Sequence, residues 1–310
     1  MTEKLWGGRF NRKMDTGFEK FSASFEWDQR LAAYDLKIDA AHTKALKKCR
    51  VLSAVEAKKL LAAISILEKR LAAGILKLDP SSEDVHSAIQ SELKKIVGPA
   101  ADKIHTGRSR NDLVSQSSRL YVKDHSQKIS KLVVLLQKEW TEKAQIYEKL
   151  LLPGMTHLQP AQILSQAHVF LSYVEMLERA KSQFEMAAKM ADVCVLGSGA
   201  LAGTTYDLDQ VLLARELGLS VVTRNSYDVS GDRDYALSAL FAVLLLGTQL
   251  SRIAEDLILA QTRGFGIADM GQEFCTGSSM MPQKKMPTSR SLSGEPRGFL
   301  PPILWGFQQP

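Results

Sequence analysis

The chain has 310 residues, of which 45% are hydrophobic and 24% charged, and its 40 basic and 34 acidic residues give a net charge of +6. This composition excludes a disordered chain, and the longest apolar run, residues 236–247, is too short to span a bilayer. Met1 to Phe10 contains no apolar stretch of the kind found in signal peptides, so we expect a cytoplasmic protein with no membrane contact.

Two further features of the composition narrow the class of protein. Cys49, Cys194 and Cys275 are far apart in the sequence, which fits reduced thiols and offers no metal-ligand spacing. The positive charge is dispersed rather than clustered with aromatic residues, which argues against a nucleic-acid partner. A chain of this length predicts two domains, or three if one is small.

The N-terminal segment, residues 10–28, is polar and predicted to be irregular. Phe18, Phe21 and Phe25 follow a spacing of three and four, which would pin the segment onto a core. Ser24 lies among them. From the local sequence, a turn serine is favoured over a ligand contact.

Helical periodicity begins after this segment. Apolar residues over 31–49 form one stripe, which predicts a helix. Ser53 and Glu56 form a capping box that starts the next helix. A shorter helix follows, and we expect His86 on it to be structural.

Residues 103–112 connect this region to a long helix. Residues 106–109 supply glycine and hydroxyl groups just before a helix N-terminus, which attracts anions. Arg108 and Arg110 add planar donors suited to carboxylates, and Asn111 adds a donor and an acceptor. The alternative is a capping loop whose arginines are solvated or form surface salt bridges.

Three long helices are predicted, over residues 113–151, 161–192 and 235–262. Helices of this length imply a bundle, and the break over 152–160 would lie at one end of it. His157 lies in that break beside Thr156 and Gln159. A structural and a catalytic histidine are equally compatible with this position.

Two glycine-containing stretches, residues 196–205 and 276–285, lead to different predictions about ligand binding. Residues 196–205 contain no GKS/T end and follow no predicted strand, which favours close helix packing over phosphate binding. Residues 276–285 combine Gly277, hydroxyls and Pro282 with Lys284 and a second lysine. Such a loop could close over a carboxylate, and a surface loop with solvated lysines is the alternative.

Three segments, 105–112, 153–159 and 276–285, resemble in order the signature regions of the argininosuccinate lyases, within the fumarase/aspartase superfamily. The resemblance begins at residues 6–10. It implies an all-α fold with an N-terminal helical domain at residues 1–107 and a central long-helix bundle at 108–285.

The same resemblance implies a reaction and an assembly. The reaction is elimination of fumarate from argininosuccinate to give L-arginine, in arginine biosynthesis, with no metal and no other cofactor. The assembly is a homotetramer whose active sites combine residues of three subunits.

It also implies roles for individual residues. Ser278 would be the base, His157 the acid, and Lys284 would stabilise the developing carboxylate charge. The implied substrate-binding residues are Ser24, Ser109, Arg110, Asn111, Thr156 and Gln159.

The chain departs from the pattern after Lys285. Met286 replaces an asparagine, and Ser291 falls where a glutamate partner of the histidine belongs. Five of the ten prolines lie in residues 286–310, so this tail is not expected to form a bundle helix. We infer a frameshift after Lys285. An inactive truncated lyase and a non-enzymatic structural homologue of the delta-crystallin kind are the alternatives.

Overall fold

A computed structural model of the chain describes residues 14–287. The expected motif at residues 6–10 and the expectations for the tail from residue 288 onward, including Ser291, lie outside the described residues.

The described part of the chain is mainly helical, which confirms the all-α fold class. Its helices are α1 (Thr16–Ser22), α2 (Phe25–Asp28), α3 (Ala32–Lys48), α4 (Ala54–Ala72), α5 (Val85–Val97), α6 (Arg110–Ile146), α7 (Gln166–Ala191), α8 (Gln210–Leu217), α9 (Ser226–Gly231) and α10 (Asp234–Gln261). Its strands are β1 (Leu151–Thr156), β2 (Gln159–Ser165), β3 (Val193–Cys194), β4 (Val221–Val222), β5 (Cys275–Thr276) and β6 (Met286–Pro287). They pair as β1–β2, β3–β4 and β5–β6, and only β3–β4 is parallel.

The prediction of an irregular N-terminal segment is wrong over the described residues. Asp15 accepts a hydrogen bond from the Phe18 amide and so starts α1. Phe25 is buried, but the side chains of Phe18 and Phe21 are 57% and 86% exposed. Only one of the three aromatic residues therefore anchors this segment.

The next helices agree with the sequence. The stripe over 31–49 forms α3, and the capping box of Ser53 and Glu56 is present at the start of α4. His86 on α5 is buried, as expected of a structural residue.

The three long helices are confirmed, although α6 starts three residues earlier than predicted, and α6 and α7 are shorter than predicted where they face each other along the chain. α6 stops at Ile146 and α7 begins at Gln166, because the chain between them forms the antiparallel β1–β2 hairpin. The sequence did not predict these strands because they contain Pro153 and Pro160, and proline is excluded from most strand positions. In a two-stranded hairpin, some backbone N–H groups point away from the partner strand and make no cross-strand hydrogen bond. A proline at such a position costs little, because the N–H that it lacks would be unpaired.

The chain divides into two compact units. In the described residues the first unit comprises 14–123 and 190–233, and the second comprises 124–189 and 234–287. The predicted division at residues 107 and 285 stays a prediction.

Each unit has its own hydrophobic core. The first unit packs α3 against α4, α5 and α8, with Leu36, Leu60 and Ile89 fully buried. The second packs Trp140 against Phe170 and Tyr173, whose ring centroids lie 5.2 and 4.9 Å from the tryptophan ring. Aromatic pairs at these separations contribute about 0.5–1.5 kcal/mol beyond their buried area.

Helix α10 has the predicted length and lies one residue before its predicted bounds, over Asp234–Gln261. Among the described residues it is the one helix long and apolar enough to cross a membrane by length and composition, although the apolar run within it, residues 236–247, is too short to do so alone. This is weak evidence for a membrane span, because core helices of soluble proteins meet the same criterion. Leu250, Ile253 and Leu257 of α10 are buried in the core of the second unit.

Candidate active site

Buried charged side chains anchor the connector that precedes α6. Arg108 has a side chain only 2% exposed, and its Nη1 donates to Asp39 Oδ1 at 2.7 Å. The expectation that Arg108 is available to an anionic ligand, or solvated, is therefore wrong. Gly107 precedes it with φ +69°, and an added Cβ would lie 3.2–3.3 Å from Tyr206, Leu208 and Thr204. The loop thus requires glycine at this position.

Two neutral histidines also support this connector. His42 donates from Nε2 to the Thr106 carbonyl at 3.0 Å, and His105 donates from Nε2 to Gln90 Oε1 at 2.6 Å. Burial, followed by the charge of Arg108, lowers the pKa of each histidine to about 3. Both rings are therefore uncharged at neutral pH and act as hydrogen-bonding supports.

A third buried histidine forms an ion pair. His86 Nδ1 lies 2.7 Å from Asp35 Oδ1, and both side chains are 2% exposed. Burial alone would lower the pKa of His86, but the Asp35 carboxylate outweighs it and raises that pKa above 6.5. Burial likewise opposes ionisation of Asp35, yet the charges of His86 and Arg108 lower its pKa below 3.8.

This pair predicts a pH dependence of stability. The Asp35 contribution is present above pH 3.8 and is lost as pH falls through its lowered pKa. The His86 contribution is present below pH 6.5 and is lost as pH rises through its raised pKa. We expect the urea-measured free energy of unfolding to decline as pH rises above 6.5, and His86→Gln to abolish this decline.

The same substitution should also destabilise the protein, by about 3–5 kcal/mol, because it leaves a buried carboxylate with one partner fewer. Lys95→Gln is the matched control, since Lys95 pairs with Glu92 on the surface and is 68% exposed. It should leave the pH profile unchanged. An unaltered decline in His86→Gln would contradict the assignment to this pair.

Two of the predicted substrate residues of the first unit, Ser24 and Arg110, lie at the N-terminus of α5. Ser24 donates from its hydroxyl to Asp28 Oδ2 at 2.6 Å, and Asp28 Oδ1 accepts the Val85 amide at 3.0 Å. Asp84 caps α5 and its Oδ2 lies 3.3 Å from Nε of Arg110. This network brings Ser24 and Arg110 to one face, with Ser109 and Asn111 flanking the arginine in the chain.

Two carboxylates in this network, Asp28 and Asp84, were not predicted as site residues. Burial raises the pKa of Asp28, although the hydrogen bonds from Ser24 and Val85 oppose this rise. The sequence held two signals for them: an aspartate four residues after Ser24, and the acidic turn that starts α5. Asp28 and Asp84 can accept hydrogen bonds from the cationic groups of a ligand, and Arg110 and Asn111 can donate to its anionic groups.

His157 lies at the tip of the β1–β2 hairpin. Thr156 and Gln159 are the last paired residues, and His157 and Leu158 form the two-residue turn with φ of +54° and +59°. Neither residue type usually adopts left-handed backbone, which costs about 1–2 kcal/mol per residue. All four side chains are exposed. The hairpin therefore presents an accessible imidazole on a strained turn, a feature that is enriched at functional sites.

Ser278 and Lys284 lie on the loop between β5 and β6. The ladder pairs Thr276 with Met286 and closes the loop. The Ser278 hydroxyl oxygen accepts the amide N–H of Met281 at 3.1 Å. Lys284 is exposed and its amide donates to the Met281 carbonyl at 3.0 Å. The loop thus holds a hydroxyl and an ammonium group on one short segment.

The predicted site residues therefore occupy three places. Ser24, Ser109, Arg110 and Asn111 belong to the first unit, whereas the hairpin residues and the loop residues lie on two elements of the second unit. No group of three or more histidine, cysteine, aspartate or glutamate side chains suited to a metal ion occurs within residues 14–287.

Sequence comparison agrees with the lyase resemblance. The model of a family described as "Lyase" matches residues 8–293. The chain is 40% identical over 287 residues to the argininosuccinate lyase of Lacticaseibacillus paracasei, covering 93% of this chain and 62% of that protein. It is 41% identical over 290 residues to the argininosuccinate lyase of Listeria monocytogenes, covering 94% and 64%. The chain thus spans less than two thirds of the length of these relatives.

Solved structures agree in fold. A variant of EDDS lyase with bound fumarate matches with a TM-score of 0.74 and 25% identity, covering 83% of this chain and 50% of that chain. A fumarate lyase:delta crystallin from Brucella melitensis bound to cobalt matches with a TM-score of 0.73 and 19% identity, covering 89% and 65%. With a family model matched over nearly its whole length, the chain belongs to the lyase family.

Proposed function

We propose that the chain is part of an argininosuccinate lyase, which eliminates fumarate from argininosuccinate and releases L-arginine in arginine biosynthesis. The observation that carries this proposal is 40–41% identity to argininosuccinate lyases over more than nine tenths of the chain. Its three motifs occur at exposed loops and a helix start, where a substrate has access.

Elimination requires a base, an acid and stabilisation of the developing charge. Ser278 removes the proton from the carbon beside a carboxylate, and His157 protonates the leaving nitrogen. Two features of the loop support Ser278 in this role: the Met281 N–H directed at its oxygen, and Lys284 six residues along. The N–H group and the ammonium group stabilise the ionised hydroxyl of Ser278 when water is excluded. They also stabilise the aci-carboxylate, the negatively charged species that forms when the substrate loses its proton.

The first-unit network of one subunit would bind the rest of the substrate in the tetramer, whose active sites combine residues of three subunits. Argininosuccinate carries carboxylates, an amino group and a guanidinium group. Arg110 and the Asn111 amide donate to carboxylates, and Asp28 and Asp84 accept from the cationic groups. Ser24 orients Asp28 through its 2.6 Å hydrogen bond. Thr156 and Gln159 flank His157 and position the succinate part.

The active enzyme is a homotetramer in the cytoplasm. Helix α10 supports the assembly, because one stretch of it exposes large apolar side chains: Leu237, Leu240, Phe241, Val243 and Leu244, each 52–67% exposed. A patch of this kind on a water-soluble protein marks an interface. Size-exclusion chromatography with light scattering tests the tetramer.

The reaction is tested on a full-length version, in which the chain continues in frame past Lys285 to the length of its relatives. We expect fumarate release from argininosuccinate, followed by absorbance, and unchanged by a chelator because the chemistry uses protein side chains alone. Adenylosuccinate and malate are the comparison substrates. Turnover of either in place of argininosuccinate would reassign the protein within its superfamily.

The second candidate is a catalytically inactive form of the same fold. Met286 is the observation that favours it, since the family pattern has an asparagine donor immediately after the paired lysines. The 310-residue chain and the full-length version, assayed side by side, discriminate between the two candidates.

A further inference from the structure

Asp112 follows the predicted substrate residues directly and is fully buried. Its Oδ1 accepts the Ser109 amide at 2.9 Å, and its Oδ2 accepts the amides of Gly197 and Gly199 at 3.2 and 3.0 Å. A single carboxylate thus joins the first turn of α6 to a loop more than 80 residues later in the chain.

That loop, residues 196–203, is shaped to receive a carboxylate. Gly197 and Gly199 have φ of +93° and +60°, which turns both amides toward Asp112. A Cβ added at Gly199 would lie 2.4 Å from the Gly203 carbonyl oxygen. Amides of neighbouring residues that point to one side form an anion-binding concavity, and here the amides on either side of Ser198 do so. Here the concavity is filled by the protein's own side chain, so these small residues do more than permit close packing.

The loop also holds the neighbouring residue. Asn111 donates from Nδ2 to the Ala200 carbonyl at 3.1 Å, and its amide donates to the Ser109 hydroxyl at 3.3 Å. These two contacts fix the orientation of the Asn111 side chain, including its carbonyl oxygen Oδ1. Since displacement of a binding group by 1 Å can cost about 10²-fold in rate, the loop geometry matters for the adjacent site.

We propose that Asp112 is a positioning residue, which uses the amides of Gly197 and Gly199 to fix Ser109, Arg110 and Asn111 for substrate binding. The kinetic part of this proposal rests on the proposed function. The structural part does not, and the experiment separates the two.

The test compares Asp112→Asn, Gly199→Ala and the double variant. Asparagine preserves the shape of Asp112 but turns an NH₂ group toward the glycine amides. In the full-length version we expect KM for argininosuccinate to rise at least about tenfold with kcat nearly unchanged, as for loss of uniform binding. The double variant should be no worse than the poorer single variant, because both remove one contact.

Hydrogen exchange provides the readout that is independent of activity. In the full-length version, Asp112→Asn should accelerate exchange at both 109–112 and 197–199 by about tenfold or more. The rest of the first unit should not change. If wild type fails to turn over argininosuccinate, the proposed function fails and exchange alone decides the role of Asp112.

Two controls exclude a general loss of stability. Ser198→Ala removes a buried hydroxyl with no hydrogen-bond partner among the described residues and leaves the Asp112 contacts intact. Gly218→Ala strains a glycine with φ +68° that has open space around it. Neither should raise KM. Additive single effects, a fall in kcat at constant KM, or unchanged exchange at 197–199 would each overturn the proposal.

Discussion

Replacing Ser278 by alanine, or His157 by asparagine, is expected to lower kcat of the full-length version by ~10²–10⁴-fold, with a much smaller change in KM. The base and the acid act in the transition state, so their loss raises the barrier without weakening substrate binding. The geometry supports this separation, because the first-unit network proposed to bind the substrate contains neither residue.

The controls for this prediction are residues of the same type as those that are replaced. Ser279→Ala removes the neighbouring hydroxyl of the same loop, and His168→Asn removes an exposed imidazole at the start of α7. Both should retain kcat. The measurement is steady-state fumarate release over a range of substrate concentrations and pH. Near-normal kcat in Ser278→Ala or His157→Asn would exclude the role assigned to that residue.

The helices were predictable from the sequence because apolar stripes persist over many turns, as in α3, α6 and α10. The ends of α6 and α7 beside the hairpin were not. The β1–β2 hairpin was missed because Pro153 and Pro160 lie in its strands and His157 and Leu158 form its turn, although neither is a usual turn residue. The pairing of β1 with β2 there overrides local preference.

The candidate site was predicted unevenly for a similar reason. Sequence indicates that Arg108 and Arg110 are both donors, but only burial distinguishes them: Arg108 pairs with Asp39 inside the protein, whereas Arg110 reaches Asp84 at the surface of α5. Asp84 was missed because its relation to Arg110 depends on a contact between distant segments, whereas Asp28 lies only four residues after Ser24 and was overlooked. Spacing along the chain carries no record of such contacts.

The 310-residue polypeptide, expressed by itself, is expected to be inactive and to aggregate. The described part of α10 exposes five large apolar side chains between residues 237 and 244, and α6 and α7 add Leu132, Leu135 and Leu171, which are 44–50% exposed. Large apolar patches that no partner covers promote association. Fumarate release should fall below detection, because the loop also has Met286 in place of the asparagine donor of the family pattern.

Two comparisons make this expectation testable. The full-length version, purified in the same way, should elute as a tetramer and release fumarate. A Phe241→Gln, Leu244→Gln double variant of the 310-residue chain should aggregate less, because it lowers the apolar area of α10, yet it should remain inactive, since the loop is unchanged. If the 310-residue chain elutes as a soluble, active tetramer, its tail is functional and the inferred frameshift has no bearing on activity. If it is soluble but inactive, the exposed faces are tolerated in water and Met286 becomes the first residue to replace, by asparagine.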